Sequence, residues 1–296
     1  MPFLGRREWR MEDLFFSVFP QLTFEIGDDT CESDKYYRYF AYNIRPDTQS
    51  CRPFAGMTKG EILTPFEGTR VYCLTFSLRE DFERAVHAVC HKCRSTPAVP
   101  ATTGAMTVLG VRNAEETEKA LEKLAKNGTP EDRFAGLKLL RENGEYKRKC
   151  TDALFFISSG PYSDIPYTET PYGEEEWNRV SAKIRLYHEL THVFSRRFFP
   201  EHQDAVRDEI LADAIGLLCA TGKYDPVFGK RLIGIGANGY MPGGRLENYI
   251  EKEDVFRESR RAALIAGQAG VFIASRGGEE PFELLREMEE QKIGTE

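Results

Sequence analysis

The stretch that most constrains the fold runs from Glu174 to Phe199, EEEWNRVSAKIRLYHELTHVFSRRFF. Acids open it, Val180, Ile184, Tyr187 and Thr191 recur at helical spacing, basic residues close it and Pro200 stops it, so one long helix is expected. A second helix is expected from about Gln203 to Thr221, ending at Gly222. With only SRRFFPEHQ between them, the two should form a helical hairpin.

The first half reads differently. RVYCLTFSL (Arg70 to Leu78) is rich in β-branched and aromatic residues and predicts a strand, followed by a helix from about Arg79 to Cys93. AMTVLGV (Ala105 to Val111) predicts a second strand, and NAEETEKALEKLAKNG a helix with Asn113 as its cap. A further helix is expected over Pro130 to Asn143, and ALFFISSG (Ala153 to Gly160) reads as a buried strand. The basic connection ENGEYKRKC places a lobe boundary near Lys149. The expected fold class is therefore α+β: a mixed α/β N-terminal lobe over 1–149, of unassigned role, and a mainly helical lobe over 150–296. The loop PYSDIPYTETPYG is too proline-rich for helix, RESRRAALIAGQAGVFIASR reads as a packed helix, and no internal repeat points to a solenoid.

The composition of the 296 residues, 41% apolar and 29% charged, is that of a globular protein. Lys+Arg 40 against Asp+Glu 47 leaves a net charge of −7, which repels polyanions, so no nucleic-acid partner is expected. The N-terminal stretch carries Arg6, Arg7, Glu8 and Arg10 before any apolar run, unlike a signal peptide, and no window approaches the roughly 18 apolar residues of a membrane span. A soluble, cytoplasmic protein without a membrane partner is expected. Seven scattered cysteines fit free thiols better than a disulfide framework.

Chemistry concentrates in YHELTH. Residues four apart share a helix face, so His188 and His192 can turn ring nitrogens toward one ion. Glu189 lies about 100° around from His188, placed to take a proton from an attacking water. The plain alternative is a pair of histidines on a buried helix face. A catalytic zinc takes three protein ligands and keeps one position open, so a third ligand is required. The second helix supplies candidates in Glu209 and Asp213, four apart, with Ala205, Ala212 and Gly216 on or near that face to allow a close approach.

HELTH followed by EILADAIG (Glu209 to Gly216) resembles the thermolysin-like, or gluzincin, zinc metallopeptidases. The resemblance spans about residues 187–217. It implies a zincin-like lobe with an active-site helix and a third-ligand helix, Zn2+ as cofactor, and a peptide or protein as substrate. It further implies His188, His192 and Glu209 as zinc ligands, Glu189 as general base, and Asp213 as the carboxylate orienting His188, a partner that ligand histidines need on physical grounds too. Asp213 as the direct third ligand, with Glu209 behind it, is the alternative assignment.

Two features depart from the gluzincin pattern. Only sixteen residues separate His192 from Glu209, so the turn must be tight, and no histidine follows His202 to support a tetrahedral intermediate. Tyr240, Tyr249, Arg231 and Arg245 are the candidate donors to a developing oxyanion. The metzincin pattern fails, because Ser195 and Phe198 stand where it needs Gly and His. His202 reads as a cap or surface residue.

The expected activity is zinc-dependent peptide hydrolysis, with the strand over Ala153 to Ser158 lying beside the site to pair with an extended substrate. The rivals are a catalytically inactive metal-binding fold acting as a regulatory or interaction module, and a purely structural hairpin. Two further motifs are set aside. HAVCHKC (His87 to Cys93) lacks the second ligand pair of a closed zinc site. GIGANG (Gly234 to Gly239) follows a predicted helix rather than a strand, so it reads as a loop and not as a dinucleotide fingerprint.

Overall fold

The computed structural model describes residues 5–8, 11–47, 54–66, 69–100, 103–125, 127–202 and 204–295. Strands Gly5–Glu8 (β1), Met57–Thr64 (β2), Val71–Phe76 (β3), Ala105–Arg112 (β4) and Thr151–Ser158 (β5) form one mixed sheet in the order β1-β2-β3-β5-β4. The pairs β1–β2, β2–β3 and β4–β5 are antiparallel, whereas β3 and β5 run parallel, Val71 opposite Ala153 through Phe76 opposite Ser158. Ala153 to Ile157 are all buried, the continuous apolar run of a strand covered on both faces.

Helices Met11–Val18 (α1), Asp34–Tyr42 (α2), Arg79–Cys90 (α3), Ala114–Leu121 (α4), Pro130–Glu142 (α5) and Glu145–Lys149 (α6) complete this half. Their starts follow local chemistry: Asn113 accepts from the Glu115 and Glu116 amides, and Thr129 caps α5 ahead of Pro130. An aromatic core including Phe15, Phe19, Tyr39, Tyr72, Phe82 and Phe156 fills the space between sheet and helices. The helix expected to reach Cys93 stops at Cys90, where Lys92 and Cys93 turn left-handed (φ 54° and 64°).

Two expectations are corrected by β5. The chain divides into compact units on either side of Ser158 and Ser159, not near Lys149, because β5 pairs with β3 and β4 and belongs to the first unit. Nor can β5 accept an extended substrate by strand addition: it is interior, with both backbone edges already hydrogen-bonded.

The second unit is helical: Glu174–Phe198 (α7), Ala205–Thr221 (α8), Pro226–Leu232 (α9), Val255–Ser275 (α10) and Pro281–Glu290 (α11), with a two-residue-strand hairpin of Ile235–Gly236 (β6) and Gly239–Tyr240 (β7). Asp204 caps α8 by accepting from the Arg207 amide, and Gly222 ends it at φ 79°; Gln203, the expected start, lies outside the described residues. Val206, Ile210, Ala214, Ile215 and Leu217 are buried on successive faces of α8, so it is the central helix, covered on all sides. Trp177, 1% exposed, anchors the proline-rich loop to α7 by donating its indole N–H to Ile165 O at 2.8 Å, and truncating it to Ala would cost about 3–5 kcal/mol.

GIGANG becomes the β6–β7 hairpin, and its first glycine has a structural task. A Cβ on Gly234, at φ 94°, would lie 2.6 Å from Gly244 Cα and 3.3 Å from Arg245 N. The Leu246 amide also donates to Ile233 O at 2.9 Å, so this contact sets where Arg245 leaves the backbone.

A closed ion pair joins the last helix to the hairpin. Arg207 and Glu289, each 1% exposed, meet at 2.8 Å. Ser195 donates to the other Glu289 oxygen at 2.8 Å, His202 Nδ1 lies 3.3 Å from Glu289 Oε2, and Arg207 Nε donates to Ile293 O at 2.6 Å. His202 thus holds α11 and takes no part in a ligand cluster. Cys31, Cys73, Cys90, Cys93, Cys150 and Cys219 are free thiols; Cys51 lies outside the described residues. Among the described residues no helix is long and apolar enough to cross a membrane.

Candidate metal centre

The two helices meet at a glycine. A Cβ on Gly216 would stand 2.9 Å from Ile184 O and 3.5 Å from His188 N, so only glycine lets α8 lie this close to the backbone of α7 at the first histidine. Ala212, fully buried one turn earlier, keeps the approach narrow.

At this crossing the side chains of α7 and α8 converge. His188 Nε2 and His192 Nε2 are 3.0 Å apart. Glu209 turns Oε2 to His188 Nε2 at 3.3 Å and Oε1 to His192 Nε2 at 3.2 Å. Four ligands placed tetrahedrally about 2.0–2.1 Å from a zinc ion lie roughly 3.3–3.4 Å from one another, and each imidazole stands at about that spacing from one Glu209 oxygen, with one atom of each of the three side chains within 4.8 Å of the others. Among the described residues this is the one group of three or more His, Cys, Asp or Glu side chains converging in this way. The His87, Cys90, His91 and Cys93 set does not form such a group.

Asp213 occupies the far side of the first imidazole. Its Oδ1 is 2.9 Å from His188 Nδ1, so Nδ1 carries a proton toward Asp213, while Nε2 faces Glu209 and His192. The geometry therefore separates the two carboxylates: Glu209 faces the Nε2 atoms, whereas Asp213 faces Nδ1 and stands behind the ring. Glu189, next along α7 and half-buried, lies about 100° around the helix from His188.

Two residues from irregular segments close the network. Arg245 Nη2 donates to Asp213 Oδ1 at 2.9 Å, to Asp213 Oδ2 at 3.0 Å and to Glu209 Oε2 at 3.2 Å, and its Nη1 donates to Ser163 Oγ at 3.0 Å. The Tyr162 hydroxyl donates to Asp213 Oδ1 at 2.6 Å. Among the expected oxyanion donors, Arg245 is therefore committed to carboxylates, and Tyr249 hydrogen-bonds Glu209. The other two are engaged elsewhere: Arg231 pairs with Glu169 at 2.8 Å and Tyr240 donates to Glu247. Tyr162 was not among the sequence candidates. It lies in a loop without periodicity, and the sole hint was its place just after a buried strand.

Burial and charge set the protonation. Desolvation alone would lower the His188 imidazole, but the Glu209 charge and hydrogen bonds to Asp213 and Glu209 outweigh it and raise the group to about 10. Desolvation raises Glu209, yet His188, His192 and Arg245 hold it far below the usual carboxylate range. Asp213 is likewise held down against its burial, by Arg245 first and then His188. Burial pushes the Tyr162 phenol well up, so it stays a donor. Two ionised carboxylates against one arginine leave a demand for positive charge between the helices, which a proton on His188 or a cation among the three ligands can meet.

A mixed α+β chain carrying a buried His-His-Glu cluster on a helical hairpin is the class that fold and site define. Residues 17–266 match the family described as "Family of unknown function (DUF7005)", and the chain belongs to it. No curated protein matches the chain, and no solved structure matches it.

Proposed function

We propose that this protein is a zinc-dependent metallopeptidase of the gluzincin type, in which His188, His192 and Glu209 hold the ion. The reading rests on one observation above the others: side chains from two helices converge, the His188 and His192 Nε2 atoms 3.0 Å apart and each 3.2–3.3 Å from one oxygen of Glu209, with a buried carboxylate on the back of His188. Bound there, zinc would supply Lewis acidity toward a peptide carbonyl and a lowered pKa for water.

The side chains divide the remaining work. Glu189 accepts a proton from the water that adds to the acyl carbon and passes it to the amine as the C–N bond breaks, so that water is split between the two products. Asp213 and Arg245 hold His188 and Glu209 in place throughout. Tyr249, hydrogen-bonded to Glu209, is the donor assigned in this reading to a developing oxyanion. A metal-holding module without turnover is the second reading, favoured by the absence of any histidine after His202 and by the commitment of Arg245 to carboxylates.

Metal content by elemental analysis of wild type, His188→Ala, Glu189→Gln and Glu209→Ala tests the site. About one zinc per chain, lost in the His188 and Glu209 variants and retained in Glu189→Gln, is expected; a wild type that cannot be loaded overturns the proposal. Peptide-library cleavage by wild type, abolished in Glu189→Gln, separates the enzyme from the inactive module.

A further inference from the structure

We infer that Tyr162 is a positioning residue for the metal centre, fixing the tautomer in which His188 offers its Nε2 lone pair to an ion. The inference rests on the metal-site reading above and extends it to a residue that neither helix contains.

Tyr162 is 4% exposed, and its hydroxyl touches two partners at once: Asp213 Oδ1 at 2.6 Å and His188 Nδ1 at 3.0 Å. A phenol has one proton. With that proton on the shorter contact, to the carboxylate, the phenol oxygen turns a lone pair toward Nδ1. It can then share the Nδ1–H that His188 also directs at Asp213, 2.9 Å away. Both phenol contacts are thus satisfied only when the imidazole proton is on Nδ1. In the other tautomer, Nδ1 would turn a lone pair toward both an ionised carboxylate and the phenol oxygen, and Nε2 would carry a hydrogen where the ion must bind.

The loop is built to hold the hydroxyl there. Arg185 donates to Gly160 O and Pro161 O, at 2.5 and 2.7 Å, just before the tyrosine, whose own amide donates to Ser181 Oγ at 3.0 Å. The Arg185 and Arg245 guanidiniums lie 5.4 and 5.2 Å from the ring centroid. Ser163 and Asp164 then take left-handed conformations, φ 52° and 56°, which non-glycine residues adopt at a cost when surrounding contacts enforce them. A tyrosine needed only for packing would not require its hydroxyl at the meeting point of a histidine and a carboxylate.

Tyr162→Phe keeps the ring and removes only the oxygen. Zinc affinity measured by competition with a chromophoric chelator should fall about 10–100-fold, the range seen when partners of ligand histidines are removed, with far-UV circular dichroism unchanged. The visible bands of the Co2+-loaded protein should shift as well, reporting a reoriented His188, which a packing role would leave untouched. Zinc affinity within twofold of wild type, with unchanged Co2+ bands, overturns the role of Tyr162 while the metal site stands. A wild type that takes up neither ion overturns the metal site and this inference together.

Discussion

The Arg207 network and the Arg245 network are made of the same parts, a buried arginine, carboxylates and a histidine, and they differ in what the carboxylates face. Around Arg207 the guanidinium pairs with Glu289, whose oxygens also face Ser195 and His202, while Asp208 turns a buried Oδ1 toward it at 3.8 Å and is raised to about 6 by its burial. Around Arg245 one guanidinium serves two carboxylates, Asp213 and Glu209, and Glu209 further presents both oxygens to imidazoles. The first network closes a structural joint between α8 and α11. The second turns a carboxylate beyond its arginine toward ring nitrogens, and a proton on His188 balances it in the metal-free protein, a place a bound cation would take over. Buried polar density alone therefore does not tell the two networks apart; the convergence of His188, His192 and Glu209 does.

The sharpest way to break this comparison is to delete one carboxylate from each network. In chelator-treated protein, Glu289→Ala strands a buried arginine and should cost about 3–5 kcal/mol in a urea titration. Glu209→Ala leaves Asp213 on Arg245 and lets His188 give up its proton, so it should cost less, about 1–3 kcal/mol under the same conditions. Equal losses would mean that both networks are structural.

Next in size is the helix crossing. Gly216→Ala forces a methyl against Ile184 O and should cost about 1–3 kcal/mol, with zinc affinity falling in parallel because His188 and Glu209 are driven apart. A stability loss with zinc affinity intact would show that the ligands tolerate a wider crossing.

Proton linkage separates the networks further. His188, raised to about 10, stabilises the metal-free fold fully below its unfolded value near 6.5, and this contribution is lost as pH rises toward 10. Metal-free stability should thus decline between pH 7 and 9. Zinc must displace that proton, so apparent affinity should rise by about tenfold per pH unit over the same interval, with one proton released per ion. Calorimetry in buffers of different ionisation enthalpy reads the release directly.

The smallest expected effect marks where the open network ends. Arg231→Ala removes a partly exposed pair with Glu169 and should change stability by about 0–1 kcal/mol and zinc affinity not at all. A measurable loss of zinc would return Arg231 to the site.

What the sequence made legible, and what it did not, follows the same division. His188, His192, Glu209, Asp213 and Gly216 lie on two helices whose period fixes direction, so their shared face could be read from spacing. Tyr162 and Arg245 come from a loop and a short helical turn, where no period tells a side chain where to point; contacts 51 and 32 residues away in sequence bring them to Asp213. The strands β3, β4 and β5 were readable from β-branched and aromatic runs, but their order was not, and β5 went to the wrong side of the boundary because its partners lie elsewhere in the sequence. The elements before β3 carried no pattern strong enough to assign.

The sheet order carries a consequence for how the first unit folds. β2 and β3 are near neighbours in sequence and can pair as soon as both exist, whereas among the described residues β4 pairs with β5 alone. β5 must slot between two strands already made, one of them parallel and about 80 positions upstream. Parallel, long-range pairing is slow because chain closure comes before any contact rewards it. The insertion of β5 should therefore be the late event in assembling this half, and a fragment ending at Lys149 should leave β3 and β4 as two open edges prone to self-association.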